Sequence, residues 1–67
     1  MTTQKAAELM SEKTRTFKGV VIKPEDVVQL PRPDYYGGDT KSVYCARVFE
    51  QICVLYDFGD EYEIEFH

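Results

Sequence analysis

The chain has no tryptophan, three prolines, four glycines, two cysteines and one histidine, His67. Each scarcity excludes something. Cys45 and Cys53 lack C-x-x-C spacing, so with His67 they fall short of the roughly four ligands that a zinc site takes. No interior histidine is available as a general base, and there is no P-loop, no nucleophile elbow and no G-x-G-x-x-G run. Catalysis would rest on carboxylates, tyrosines or cysteines alone, and the expectation is a protein that is not an enzyme and binds no cofactor. No apolar run approaches the ~20 residues of a membrane span. The short patch Ala6, Ala7, Leu9, Met10 is flanked by charge, unlike a secretory signal, so a cytoplasmic location with no membrane partner is expected.

What is present is a small, acidic, ordinary globular composition. Sixty-seven residues make one domain, and a chain of that size buries only about 60% of its unfolded surface. Five Tyr and four Phe supply the aromatic content, and the net charge is −4. That charge is uneven. Residues 1–24 hold five basic side chains (Lys5, Lys13, Arg15, Lys18, Lys23) against Glu8 and Glu12, a balance of +3. Residues 25–67 hold Arg32, Lys41 and Arg47 against ten carboxylates, a balance of −7. A body this acidic does not offer the basic face that nucleic-acid binding requires, and it suits a basic protein partner.

The strongest local pattern is Ile52-Cys53-Val54-Leu55-Tyr56-Asp57-Phe58-Gly59-Asp60-Glu61-Tyr62-Glu63-Ile64-Glu65-Phe66. Tyr62, Ile64 and Phe66 alternate with Glu61, Glu63 and Glu65, which is the period of a half-buried strand. Gly59-Asp60 supplies the positive φ of a tight hairpin turn. Upstream, residues 1–13 contain good helix formers behind Thr2 and Thr3, and read as a helix or a disordered tail ahead of a domain at 14–67. Thr14 to Lys23, rich in Thr, Phe, Val and Ile, reads as the first strand, with Gly19 as a bulge and Pro24 as its stop. Val27, Val28 and Leu30 form a short second strand, the alternative being a single helical turn that starts at Pro24. The stretch from Pro31 to Lys41 carries two prolines and two glycines and reads as a long loop presenting Tyr35 and Tyr36. Ser42 to Phe49 is a further strand, turned at Glu50-Gln51 into the hairpin.

Two-residue turns at Gly59-Asp60 and Glu50-Gln51 fix which residues face each other. One face collects Tyr44, Ala46, Val48, Cys53, Leu55, Tyr62, Ile64 and Phe66 as the core. The other collects Cys45, Arg47, Phe49, Ile52, Val54, Tyr56 and Phe58 with the three glutamates. Cys45 and Cys53 then lie on opposite faces and cannot bridge. Arg47, across from Val54 and beside Glu65, could form a weak cross-strand ion pair. The glutamates lie roughly 7 Å apart along their strand, a solvated row that does not converge on a metal ion.

The order Asp26-Val27-Val28-Gln29-Leu30-Pro31-Arg32-Pro33-Asp34-Tyr35-Tyr36, followed by Ile52-Cys53-Val54-Leu55-Tyr56-Asp57-Phe58, resembles SH3-like small barrels. It is similar to the small SH3-like accessory subunits of photosynthetic electron-transfer complexes, in which a valine-rich strand enters an Arg-Pro-acid-aromatic loop. Tudor-like barrels are a comparable likeness. The resemblance covers about half the chain and implies a fold only: a mainly β domain, either a five-stranded barrel or a strongly bent antiparallel sheet. The expected work is protein binding through Tyr35, Tyr36, Phe49, Tyr56, Phe58, Glu61, Glu63 and Glu65, toward a basic partner. Two alternatives stand beside it. One is an acidic regulator that mimics nucleic acid against a nucleic-acid-binding protein. The other is a homodimer formed through Ile52 and Val54.

Overall fold

Thr2 starts a helix that runs well past the helix formers of residues 1–13. The computed structural model describes residues 1–67, and in it α1 spans Thr3–Lys18. The Thr2 side chain accepts the Lys5 N–H at 3.1 Å, meeting one of the donors that every helix start leaves open. Gly19 ends the helix at φ 71°, in the left-handed region where glycine has no Cβ penalty, and donates its N–H to the Arg15 carbonyl. Gly19 is therefore a helix cap and not a strand bulge.

Thr14 to Lys23 is not the first strand. Its first five residues belong to α1, and Val20 to Ile22 have no regular structure and no sheet partner. Two helix side chains take the partner's place. The Ser11 hydroxyl donates to the Ile22 carbonyl at 2.9 Å and accepts the Ile22 N–H at 2.8 Å. Thr14 Oγ1 donates to the Val20 carbonyl at 2.7 Å. Propensity favoured a strand here, but buried main-chain groups need partners of any kind, and Ser11 and Thr14 supply them. Val21, between them, points to solvent.

A 3-10 turn at Pro24–Asp26 leads into β1 (Val28–Leu30), a second 3-10 turn at Pro33–Tyr36 follows, and then β2 (Ser42–Val48), β3 (Gln51–Asp57) and β4 (Tyr62–Phe66). The sheet is an antiparallel meander in the order β1-β2-β3-β4. It is open and four-stranded, with one helix against one face, so the expected five-stranded barrel is corrected to a small mixed α/β layer structure. The fifth strand is missing because the residues meant for it are helix and unpaired strap.

Register divides the expectations. β3 and β4 pair as read from the sequence: Cys53 with Phe66, Leu55 with Ile64, Asp57 with Tyr62. Gly59 sits at φ 97° with Asp60 outside the positive region, as in a type II′ turn. Between β2 and β3, Val48 pairs with Gln51, so the turn is Phe49-Glu50 and not Glu50-Gln51. A slip of two places preserves side-chain parity, and both face assignments therefore survive it. The slip does move Arg47 opposite Ile52, away from Glu65. That carboxylate meets His67 instead, at 3.1 Å.

The helix lies over β2 and β3. Its stripe Ala6, Ala7, Met10, Ser11, Thr14 follows helical spacing and is buried against Tyr44, Ala46, Val48, Cys53 and Leu55, with Ile22 closing one side. Ala6 and Ala7 share one buried cluster with the larger Tyr44 and Leu55. Residues 1–13 are thus part of the core, and the boundary expected after residue 13 falls inside α1. Tyr62, expected in the core, is 42% exposed, and Ile64 and Phe66 are half-buried, because β4 is an edge strand beyond the helix. Cys45 and Cys53 are both free, on opposite faces. Burial pushes the Cys53 thiol up to about 11, which leaves it protonated at neutral pH.

One carboxylate belongs to the core. Asp57 is buried, accepts the Ser42 hydroxyl at 2.8 Å and the Gly59 N–H at 2.9 Å, and lies 3.5 Å from the Met1 ammonium. The Met1 carbonyl in turn accepts the Tyr44 hydroxyl at 2.7 Å. Burial by itself raises the Asp57 pKa; the Gly59 amide, the Ser42 hydroxyl and the Met1 ammonium outweigh it and hold the group below the ordinary carboxylate value.

Ser11→Ala, which orphans the Ile22 main-chain groups, is expected to cost about 1–3 kcal/mol, a large share of the roughly 3–10 kcal/mol available to a domain of this size. Thr16→Ala, exposed on the same helix, should stay within about 0.5 kcal/mol. Urea midpoints measure both, and equal midpoints would show that Ser11 does not hold the strap. The stabilisation from Asp57 should be complete above about pH 4 and lost as pH falls through its lowered native value. Urea midpoints across the acid range should therefore fall less steeply in Asp57→Asn than in the parent chain, and parallel profiles would refute that role.

Candidate functional site

With α1 occupying one face of the sheet, the other face is left without a covering element. The register lays Leu30, Val43, Tyr56 and Glu63 in one row across it, and Val28, Cys45, Val54 and Glu65 in the next. Val43 and Val54 are buried at its centre, whereas Val28 at its edge is 58% exposed.

Only the loop after β1 reaches over this face. Arg32 takes the left-handed conformation at φ 58°, Pro33 sets the first φ of the 3-10 turn, and the Tyr35 N–H donates to the Arg32 carbonyl at 3.0 Å. Gly37 ends the turn at φ 136°, and a Cβ there would meet Thr40 Oγ1 at 3.3 Å. The Lys41 N–H then joins the Asp57 carbonyl at 2.7 Å, seating the loop beside the end of β3. The result is an aromatic stack. Tyr35 meets Tyr36 edge-on with ring centroids 5.4 Å apart, and Tyr36 lies 6.0 Å from Tyr56 at 55°.

Tyr36, Tyr56, Phe58, Glu63 and Glu65 line a cleft of about 260 Å³. Tyr56 and Phe58 are half-buried, Glu63 and Glu65 are exposed, and Tyr35 stands 78% exposed above them. Burial raises the Tyr56 phenol above its ordinary pKa, and the Glu65 carboxylate, then Tyr36 and Glu63, push it further in the same direction. Such a cleft can stack a planar or apolar group and hold a cation at its rim. Nowhere in the chain do three or more His, Cys, Asp or Glu side chains gather as a metal centre would need.

Six of the eight residues expected at a binding surface thus come together: Tyr35, Tyr36, Tyr56, Phe58, Glu63 and Glu65. Glu61 does not line this cleft; it stands at the hairpin turn, in adjoining hollows that share Phe58 and Glu63 with it. Phe49 is at the opposite end of the sheet, in the β2–β3 turn. A second aromatic group, Phe17 with Tyr62 and Phe66, was not foreseen. Its signal would have been helical spacing continued from Met10 through Thr14 to Phe17, which the β-branched residues concealed.

The chain matches no protein-family model, no curated protein and no solved structure. No helix is long and apolar enough to cross a membrane.

In a pH titration followed by tyrosine ultraviolet difference or ring NMR signals, Tyr56 should deprotonate above the ordinary value of about 10. Glu65→Gln should bring that value down. An unchanged Tyr56 titration in Glu65→Gln would remove Glu65 from the rim of the cleft.

Proposed function

We propose that this chain is a protein-binding module, working without catalysis, that takes a basic segment of another protein on the open face of its sheet. The observation that carries this reading is the Tyr36–Tyr56–Phe58 cleft rimmed by Glu63 and Glu65 on the sheet face opposite α1. Tyrosines are favoured as binding anchors because they bring a large apolar body with few rotatable bonds and a polar tip. The glutamates add attraction and orientation for Lys or Arg side chains. The carboxylates of this face stand on β4, so the preference is local to the cleft's rim.

Affinity capture from the native source with two baits tests the reading, one the parent chain and the other carrying Tyr36→Ala with Tyr56→Ala. A basic partner retained by the parent should bind the double variant weaker by about 2 kcal/mol or more, roughly thirtyfold, and should tolerate moderate salt. Equal retention on both baits overturns the site. Binding that collapses steeply with salt and ignores the tyrosines would favour acidic mimicry of nucleic acid. A concentration-dependent dimer broken by Ile52→Asp would favour self-association.

A further inference from the structure

The two edges of the sheet differ. β1 is three residues long with Pro24 before it and Pro31 and Pro33 after it, which is how natural sheets close an edge to strangers. β4 is five residues long, free of proline and in unbroken register with β3. Its main-chain polarity can be read from its ends. Ile52 and His67 exchange both hydrogen bonds at 2.9 Å, and the Phe58 N–H donates to the Glu61 carbonyl at 2.9 Å. Bonded and non-bonded pairs alternate along an antiparallel ladder, so Val54–Glu65 and Tyr56–Glu63 are bonded pairs as well. The main-chain groups of Tyr62, Ile64 and Phe66 therefore point away from the sheet, with no strand to meet them.

The two sides of that edge have opposite chemistry. On the helix side a groove of about 580 Å³ runs between α1 and β4, its apolar lining Leu9, Phe17, Tyr62 and Phe66, with Glu12, Lys13 and Thr16 on the helix wall. Phe17 is 61% exposed there, with its ring 5.5 Å from that of Phe66. On the far side stand Glu63 and Glu65. We propose that β4 receives an extended segment of a partner protein as an added antiparallel strand, one in which apolar residues alternate with Lys or Arg. The apolar residues enter the Phe17–Phe66 groove, and the basic ones meet the glutamates. A second copy of this chain is the poorer occupant. Antiparallel β4–β4 pairing would set Glu63 and Glu65 of each copy beside those of the other, and neighbouring like charges oppose pairing. The charge of the segment rests on the basic-partner reading above, since Glu63 and Glu65 serve both; the main-chain pairing does not.

The probe is a capped synthetic hexapeptide of alternating lysine and valine, titrated into isotope-labelled protein. In an antiparallel pairing the residues bonded to Tyr62, Ile64 and Phe66 are those facing the groove, the valines. Expected are slowed amide exchange at Tyr62, Ile64 and Phe66 and binding that main-chain N-methylation of the valines weakens roughly tenfold or more, while N-methylation of the lysines leaves it unchanged. Replacing the lysines with glutamates should also weaken it by about tenfold. Unprotected β4 amides, or indifference to valine methylation, overturn strand addition, as does a dimer that shows the same protection without peptide. Protection with no preference for lysine keeps strand addition and sinks the basic-partner reading. Shifts confined to Tyr36 and Tyr56 do the reverse.

Discussion

Everything in this molecule depends on α1 lying flat on one face of a four-stranded sheet. The contact is made by Ala6, Ala7 and Met10 against Tyr44, Ala46, Val48, Cys53 and Leu55. Truncating one fully buried Met or Leu in such a position costs about 2–5 kcal/mol, which rivals the whole stability of so small a domain. Two polar devices anchor the helix at its ends. Near its start, the Met1 ammonium and carbonyl meet Asp57 and Tyr44. Toward its end, Ser11 and Thr14 bond the main chain of the returning strap. A single helix can shield only part of a sheet this wide, and it is centred on β2 and β3. The opposite face and the β4 edge are left over by geometry, and those are the surfaces to which function is assigned.

The legible parts of the fold were those set by local rules. Perfect alternation and Gly59 gave the last hairpin its register to the residue. The preceding turn lies one residue earlier than expected, shifting the pairing by two places, because Phe49 adopts φ 57°, a conformation that sequence rules reserve for Gly, Asn or Asp. Face assignment survived because two is the period of a strand. The helix was misjudged from Thr14 onward for a different reason. Its inner stripe passes through Ser11 and Thr14, whose hydroxyls are buried by bonds to residues some way along the chain, so neither counts as apolar in a periodicity. Bonds from these hydroxyls to main-chain groups 6 and 11 residues further on decided that segment, and a count of apolar periodicity does not register them.

The candidate site followed the same division. Tyr56, Phe58, Glu63 and Glu65 were legible because hairpin register places them on one side. Tyr36 joins them through a loop whose path depends on Arg32 and Gly37 at positive φ, which composition suggests for the glycine and not for the arginine. The groove beside β4 was hidden for as long as Phe17 belonged to a strand.

Phe49 carries one more consequence. A phenylalanine held in the left-handed region costs on the order of 1–2 kcal/mol relative to an ordinary backbone conformation, and glycine would relieve most of it. The ring gains little in return from the fold, being 66% exposed. In a domain with so thin a margin, this turn is a reserve of stability that the native residue leaves unused. An engineer who claimed it with glycine would make the hairpin easier to close, and in the same step would strip an exposed aromatic ring from the end of the sheet.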